Sequence, residues 1–277
     1  MDWLYQFFIE PFTYDFMTRG LIAALLIGIL CAIFSCYLIL KGWALMGDAV
    51  SHAVLPGVAI AYALSIPMVV GAFVAGLICG LGSDYISKNS RIKSDAAIGI
   101  VYSGLFGLGL ILMTKIESDV HLSHILFGNM LGVDWPDIQE IALIGLIVLA
   151  VVIIKRRDLM LYCFDANQAQ TMGLPVRVLY MGLLVFLALT IVVSIKAVGI
   201  IIVTAMLIAP GAIGFLLSKS FDKMMLISVG VSILSSLLGL IFSYHFDLDT
   251  SALIVLIQAL IFVITLLCVS QKGVEYG

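Results

Sequence analysis

Nine apolar runs, each close to the roughly 20 residues that a helix needs to cross a bilayer core, divide this chain almost from end to end. They lie near Thr18–Leu40, Met46–Leu64, Pro67–Ser87, Ser94–Thr114, Ile138–Ile154, Val178–Ile195, Gly199–Leu217, Met224–Ser243 and Ser251–Val269. Only 11% of residues are charged and 63% are hydrophobic, whereas a soluble domain carries charge on about a quarter of its residues to cover its surface. Water is absent from the bilayer core, so a spanning backbone must satisfy its own hydrogen bonds, as a helix does. The expectation is an all-α, polytopic integral membrane protein with about nine transmembrane helices in the cell (cytoplasmic or inner) membrane, in contact with lipid. Lys196–Val198 alone separates the sixth run from the seventh, which requires a tight turn.

Lysine and arginine in the short loops set the orientation, because cytoplasmic loops carry the excess of positive charge. Lys88, Arg91 and Lys93 mark one such loop, Lys155, Arg156, Arg157 and Arg177 the next, and Lys219 and Lys223 a third. The loops between them hold Glu117, Asp119, Asp134 and Asp137, then Asp247 and Asp249. Nine spans then put the N-terminus outside and the C-terminus, with Lys272, in the cytoplasm. Residues 1–17 read as an interfacial segment: they are rich in aromatics, and Asp2, Glu10 and Asp15 stand where a cleavable signal would be basic. Residues 18–270 read as one transmembrane domain and 271–277 as a cytoplasmic tail. Ser94 with Asp95, and Asp249 through Ser251, offer side-chain oxygens to helix starts. Gly104, Gly107 and Gly109 in the fourth run predict close helix contact. Net charge is −3 with no basic stripe, which excludes a nucleic-acid partner. The five cysteines show no C-x-x-C spacing and are expected to pack rather than bind zinc or pair.

An ionisable side chain inside a span costs about 2.5–3.5 kcal/mol at the bilayer centre, so each one requires a reason. Asp48 and His52, at i and i+4, share one helical face at the start of the second run, and Pro56-Gly57 follows them. A carboxylate and an imidazole at that spacing can ligate manganese, iron(II) or zinc. The same pair can equally be an internal hydrogen bond that only locks the helix. Pro56 is a bend expected of a transporter, or simply a tolerated kink. In the longest loop predicted to be cytoplasmic, Asp165 can cap a short helix, Ala169 and Met172 can give it a packing face, and Gly173 with Pro175 can end it. A plain connector would read the same way. His121 and His124, beside Asp119, could catch a metal outside, though a solvated pair is the simpler reading; His245, Asp247 and Asp249 are similar. The P-loop pattern G-x-x-x-x-G-K-[ST] is missing, so this chain is not expected to hydrolyse ATP, and no zincin or serine-hydrolase motif is present.

Met46–Gly57 resembles the signature of the permeases of the manganese, zinc and iron ATP-binding-cassette importers. Ile92–Ile100, His124–Asn129 and the stretch from Val198-Gly199 through Ala205–Pro210 resemble the same family, in order, within a match from about Thr18 to Leu267. The resemblance implies that Asp48 and His52 line the metal pathway. It implies that the segment around 163–176, with Asp165, Ala169, Gly173 and Pro175, is the coupling helix that docks on an ATPase. It further implies a homodimer with the pathway at its interface, cytoplasmic ATP-binding subunits and an extracytoplasmic metal-binding protein. No cofactor is permanently bound on this reading. The cargo is manganese, with zinc or iron(II) carried by the same machine as the alternative. A secondary metal transporter independent of any ATPase is the reading from a different class.

Overall fold

The computed structural model describes residues 7–8, 10–115 and 128–274. Eleven α-helices account for most of them: α1 Asp15–Lys41, α2 Ala44–Ala63, α3 Met68–Asn89, α4 Ser94–Lys115, α5 Trp135–Ile154, α6 Arg156–Phe164, α7 Ala166–Thr171, α8 Val176–Val198, α9 Ile200–Leu217, α10 Phe221–Phe246 and α11 Thr250–Val274. Nine of these coincide with the nine apolar runs. Among the described residues, eight helices are long and apolar enough to cross a membrane. The ninth, α9, is apolar along its 18 residues. The tight turn between α8 and α9 falls one residue later than the sequence predicts. The helix runs through Val198, and Gly199 alone makes the break, at φ 83° and ψ 166°, a conformation open essentially to glycine only.

The chain forms two compact units. One comprises residues 1–42, 129–154 and 205–277, with α1, α5, most of α9, α10 and α11. Its centre is a kink. Pro210 lies inside α9 and cannot donate to the helix ladder. Hydroxyls from neighbouring helices take over: Ser35 of α1 donates to the Ile208 carbonyl at 3.0 Å and accepts the Gly211 amide at 2.8 Å. Ser228 of α10 donates to the Pro210 carbonyl at 2.8 Å. Where water cannot reach, such side chains are the available partners for freed backbone groups. At one end of this unit Arg19 lies 3.0 Å from Asp15 and 2.8 Å from Asp134. Asp249 caps α11 by accepting the Ala252 amide at 2.8 Å, as the sequence suggests, and His245 stacks on Phe7 at 4.2 Å.

The second unit comprises residues 43–128 and 155–204, with α2, α3, α4, α6, α7 and α8. Here helices meet at glycines. A Cβ on Gly57 of α2 would collide with the Gly71 carbonyl of α3, and a Cβ on Gly71 with the Gly57 carbonyl. Gly109 of α4 abuts Pro56, whose ring Cδ would lie 2.9 Å from an added Cβ. Of the three α4 glycines expected in close contacts, only Gly109 makes one. Gly104 and Gly107 face open space. Cys31, Cys36, Cys79 and Cys163 are buried free thiols, in keeping with a packing role, while Cys268 is exposed.

The glycine contacts give a paired prediction. Gly57→Ala should lower stability by about 3 kcal/mol or more, since backbone rather than a flexible side chain is in the way. Gly104→Ala should be neutral or stabilising by up to about 1 kcal/mol, the helix propensity difference. Thermal unfolding of the two purified variants in detergent checks both signs.

Candidate metal site and docking turn

Asp48 and His52 both sit in the first half of α2. Gly42, left-handed at φ 74°, closes α1, and Trp43 leads directly into α2. The break between α1 and α2 is therefore confined to Gly42 and Trp43. One helical turn brings the His52 imidazole Nε2 to 3.3 Å from Asp48 Oδ1, with the two side chains 24% and 33% exposed. The pair therefore sits at an edge of its unit, neither solvated nor sealed.

The other imidazole nitrogen is informative. His52 Nδ1 is buried and has no hydrogen-bond partner among the described residues, and an unpaired buried polar atom costs about 1–3 kcal/mol. Pro56 lies four residues on and lacks an N–H, so the His52 carbonyl loses its usual helical donor as well. Two aromatic rings of α4 hold the imidazole, Phe106 edge-on at 5.3 Å and Tyr102 nearly parallel at 6.0 Å. Neither was marked as a site residue by the sequence, because the contact joins positions about fifty residues apart. Among the described residues no three His, Cys, Asp or Glu side chains come together as a metal site, so this chain brings two side-chain donors at Asp48 and His52. An open groove of about 320 Å³ runs farther along α2 and α3, lined by Pro56, Ile60, Leu64, Val74 and Leu105 among others. Its walls are aliphatic and suit a lipid tail or another helix better than a cation. His121 and His124 lie outside the described residues.

The segment 165–175 folds largely as its sequence predicts. Asp165 caps α7, its Oδ1 accepting the amides of Asn167 at 2.9 Å and Gln168 at 3.1 Å. Ala169 is fully buried. Gly173 takes a left-handed φ of 79°, the Leu174 amide returns to the Ala169 carbonyl at 3.0 Å, and Pro175 precedes α8. One expectation is corrected. Met172 is 66% exposed rather than packed, because the chain leaves α7 at Met172 and turns away, and Phe164 before α7 is 74% exposed. Beneath the turn Tyr162 is buried, and that burial raises its phenol pKa, with Cys163, Tyr180 and Asp84 adding to the effect.

The sequence model of the ABC 3 transport family matches residues 13–269. The chain is 52% identical over 267 residues to the chelated iron transport system membrane protein YfeD of Yersinia pestis, covering 96% of this chain and 90% of that one. It is 48% identical over 270 residues to the manganese transport system membrane protein MntB of Synechocystis, covering 98% and 88%. Among solved structures it is similar to PsaBC from Streptococcus pneumoniae in complex with Fab, with TM-score 0.85, 39% identity, and 93% and 94% of the two chains covered.

The cap on α7 can be tested alone. Asp165→Ala should destabilise the turn by about 1 kcal/mol and speed amide hydrogen exchange in residues 166–171, leaving exchange in α2 and α3 unchanged.

Proposed function

Because the chain belongs to the ABC 3 transport family and is a multi-pass protein of the cell membrane, we propose that it is the permease subunit of an importer carrying manganese into the cytoplasm. The observation that carries this reading is the Asp48–His52 pair, one turn apart at the edge of a span, with an imidazole nitrogen buried and unpartnered. A dication held between the Asp48 carboxylate and an imidazole nitrogen of His52 would offset the carboxylate charge. Both donors are of the kind that suits manganese or iron(II). The relatives are named for both iron and manganese transport, so iron(II) is the second reading, with zinc behind it.

Two donors are too few, since zinc takes about four ligands and manganese about six. A second copy of the chain, presenting the same pair, would double the set. The exposed face of α4 suits such a neighbour: Gly99 and Gly107 have nothing within 4 Å of an added Cβ, and Ser103 between them is exposed. Small residues on one helical face allow helices to approach closely in lipid. The apolar side chains exposed at either end of α7, Phe164 and Met172, suit docking of a cytoplasmic ATP-binding subunit. This chain then hydrolyses nothing itself; an extracytoplasmic binding protein delivers the metal, and no resident cofactor is needed. The orientation follows from the loop charges, with the N-terminus outside and α7 inside.

Asp48→Ala and His52→Ala should each reduce manganese uptake by the reconstituted transporter at least about a hundredfold, since loss of an outer partner of a metal ligand alone costs about 10–100-fold, while assembly and ATP hydrolysis persist. Uptake near wild type in either variant would refute the site. Competition among manganese, iron(II) and zinc in the same vesicles decides the cargo, and preferential uptake of iron(II) would replace manganese in this reading. Transport without the ATP-binding subunit would instead favour a secondary transporter.

A further inference from the structure

Trp43 and Tyr180 are distant in sequence and sit at opposite ends of the proposed function. Trp43 immediately precedes α2, five residues before Asp48. Tyr180 lies in the second turn of α8, five residues after the Pro175 that closes the α7 segment. Their rings meet edge to face, with centroids 5.5 Å apart. The Tyr180 hydroxyl donates to the Gly80 carbonyl of α3 at 3.4 Å. Lys88 of α3 places its ammonium 5.3 Å from the centre of the Tyr180 ring and 2.7 Å from Asp84 Oδ2. One aromatic side chain of α8 is thus held by both α2 and α3.

The packing above this joint leaves little room to slide. A Cβ on Gly80 of α3 would strike the Leu184 side chain of α8, and one on Gly76 would lie 3.6 Å from Ala188 Cβ. Gly57 and Gly71 then bring α3 and α2 to backbone contact. Interiors packed this closely move as bodies rather than deforming continuously. Within this one compact unit lie both the α7 turn and the Asp48–His52 pair.

We propose that Trp43 and Tyr180 are positioning residues that fasten the metal-site helix to the helix after the α7 turn, so that displacing α7 moves Asp48 and His52 directly. The proposal rests on the reading of α7 as the surface that docks the ATP-binding subunit. Neither ring touches the cation. Their part is to make the stroke of α8 and the position of α2 a single coordinate, and losing the contact leaves hydrolysis running with the metal pair no longer driven.

The test measures uptake and ATP hydrolysis together in proteoliposomes holding the assembled transporter. Trp43→Leu and Tyr180→Leu should each retain hydrolysis within about twofold while uptake per ATP falls about tenfold, within the range for lost coupling contacts, and the double variant should be no worse than the worse single one. A merely structural defect would lower both activities in proportion, and that result, or unchanged uptake per ATP, overturns the proposal. Gly173→Val, run in parallel, separates the two claims. If it too stays coupled, the docking role of α7 fails; if it uncouples while Trp43→Leu and Tyr180→Leu do not, only the joint fails. A second measurement does not depend on losing side chains. In a background without the native cysteines, Gly76→Cys with Ala188→Cys places Cβ atoms 3.6 Å apart, within disulfide reach, and Val50→Ala relieves a 3.0 Å approach at position 76. Oxidation should leave uptake at the level of the reduced form. Loss of uptake on oxidation, restored by a thiol reductant, would show that α3 and α8 must slide and would refute the single body.

Discussion

The approach of α2 and α3 at Gly57 and Gly71 is the contact on which the rest of the second unit depends. In lipid the drive to pack helices is not hydrophobic, because the surrounding tails are as apolar as the side chains. Association has to come from dispersion and from backbones near enough to touch, and a single methyl at either glycine would separate them. With α2 held there, Pro56 can sit against Gly109 of α4, and α4 can bring Tyr102 and Phe106 to the His52 ring. The imidazole is therefore oriented by a chain of steric contacts that begins at two residues with no side chain.

Proline plays a matched part in each unit. Pro56 and Pro210 each interrupt a helix ladder inside a span. At Pro210, Ser35 and Ser228 supply hydroxyls to the backbone around the proline. At Pro56 the neighbouring His52 keeps a buried nitrogen without a partner. A structural kink and a binding position thus differ in whether the polar groups around them are already satisfied.

Much of this was legible in the sequence because the bilayer makes hydropathy nearly equivalent to secondary structure. All nine apolar runs became helices, and Asp165 and Asp249 cap where their positions suggested. What escaped depends on which face of a helix meets which neighbour. Glycine at 104, 107 and 109 looks alike in sequence, yet only Gly109 is covered, since Gly104 and Gly107, at i and i+3, share an open side of α4 and Gly109 points away from it. Met172 was read as part of a packing face, but the helix ends before its side chain can turn inward. The shared face of Asp48 and His52 was visible from i,i+4 spacing. The aromatic wall behind them was not, because nothing local in α2 encodes a contact with α4.

The shortness of α9 has a consequence for the surrounding lipid. At 18 residues it is about 27 Å long, below the roughly 30 Å hydrocarbon thickness, while α1 at 27 residues reaches about 40 Å. A lipid-facing helix so short would have to thin the bilayer around it. Val203, Met206, Leu207 and Ile213 of α9 are instead fully buried, whereas in α4 and α11 only 17% of the spanning window is buried. The length of α9 is free to answer to the protein's interior, and a change in lipid chain length should strain α11 before it reaches Pro210.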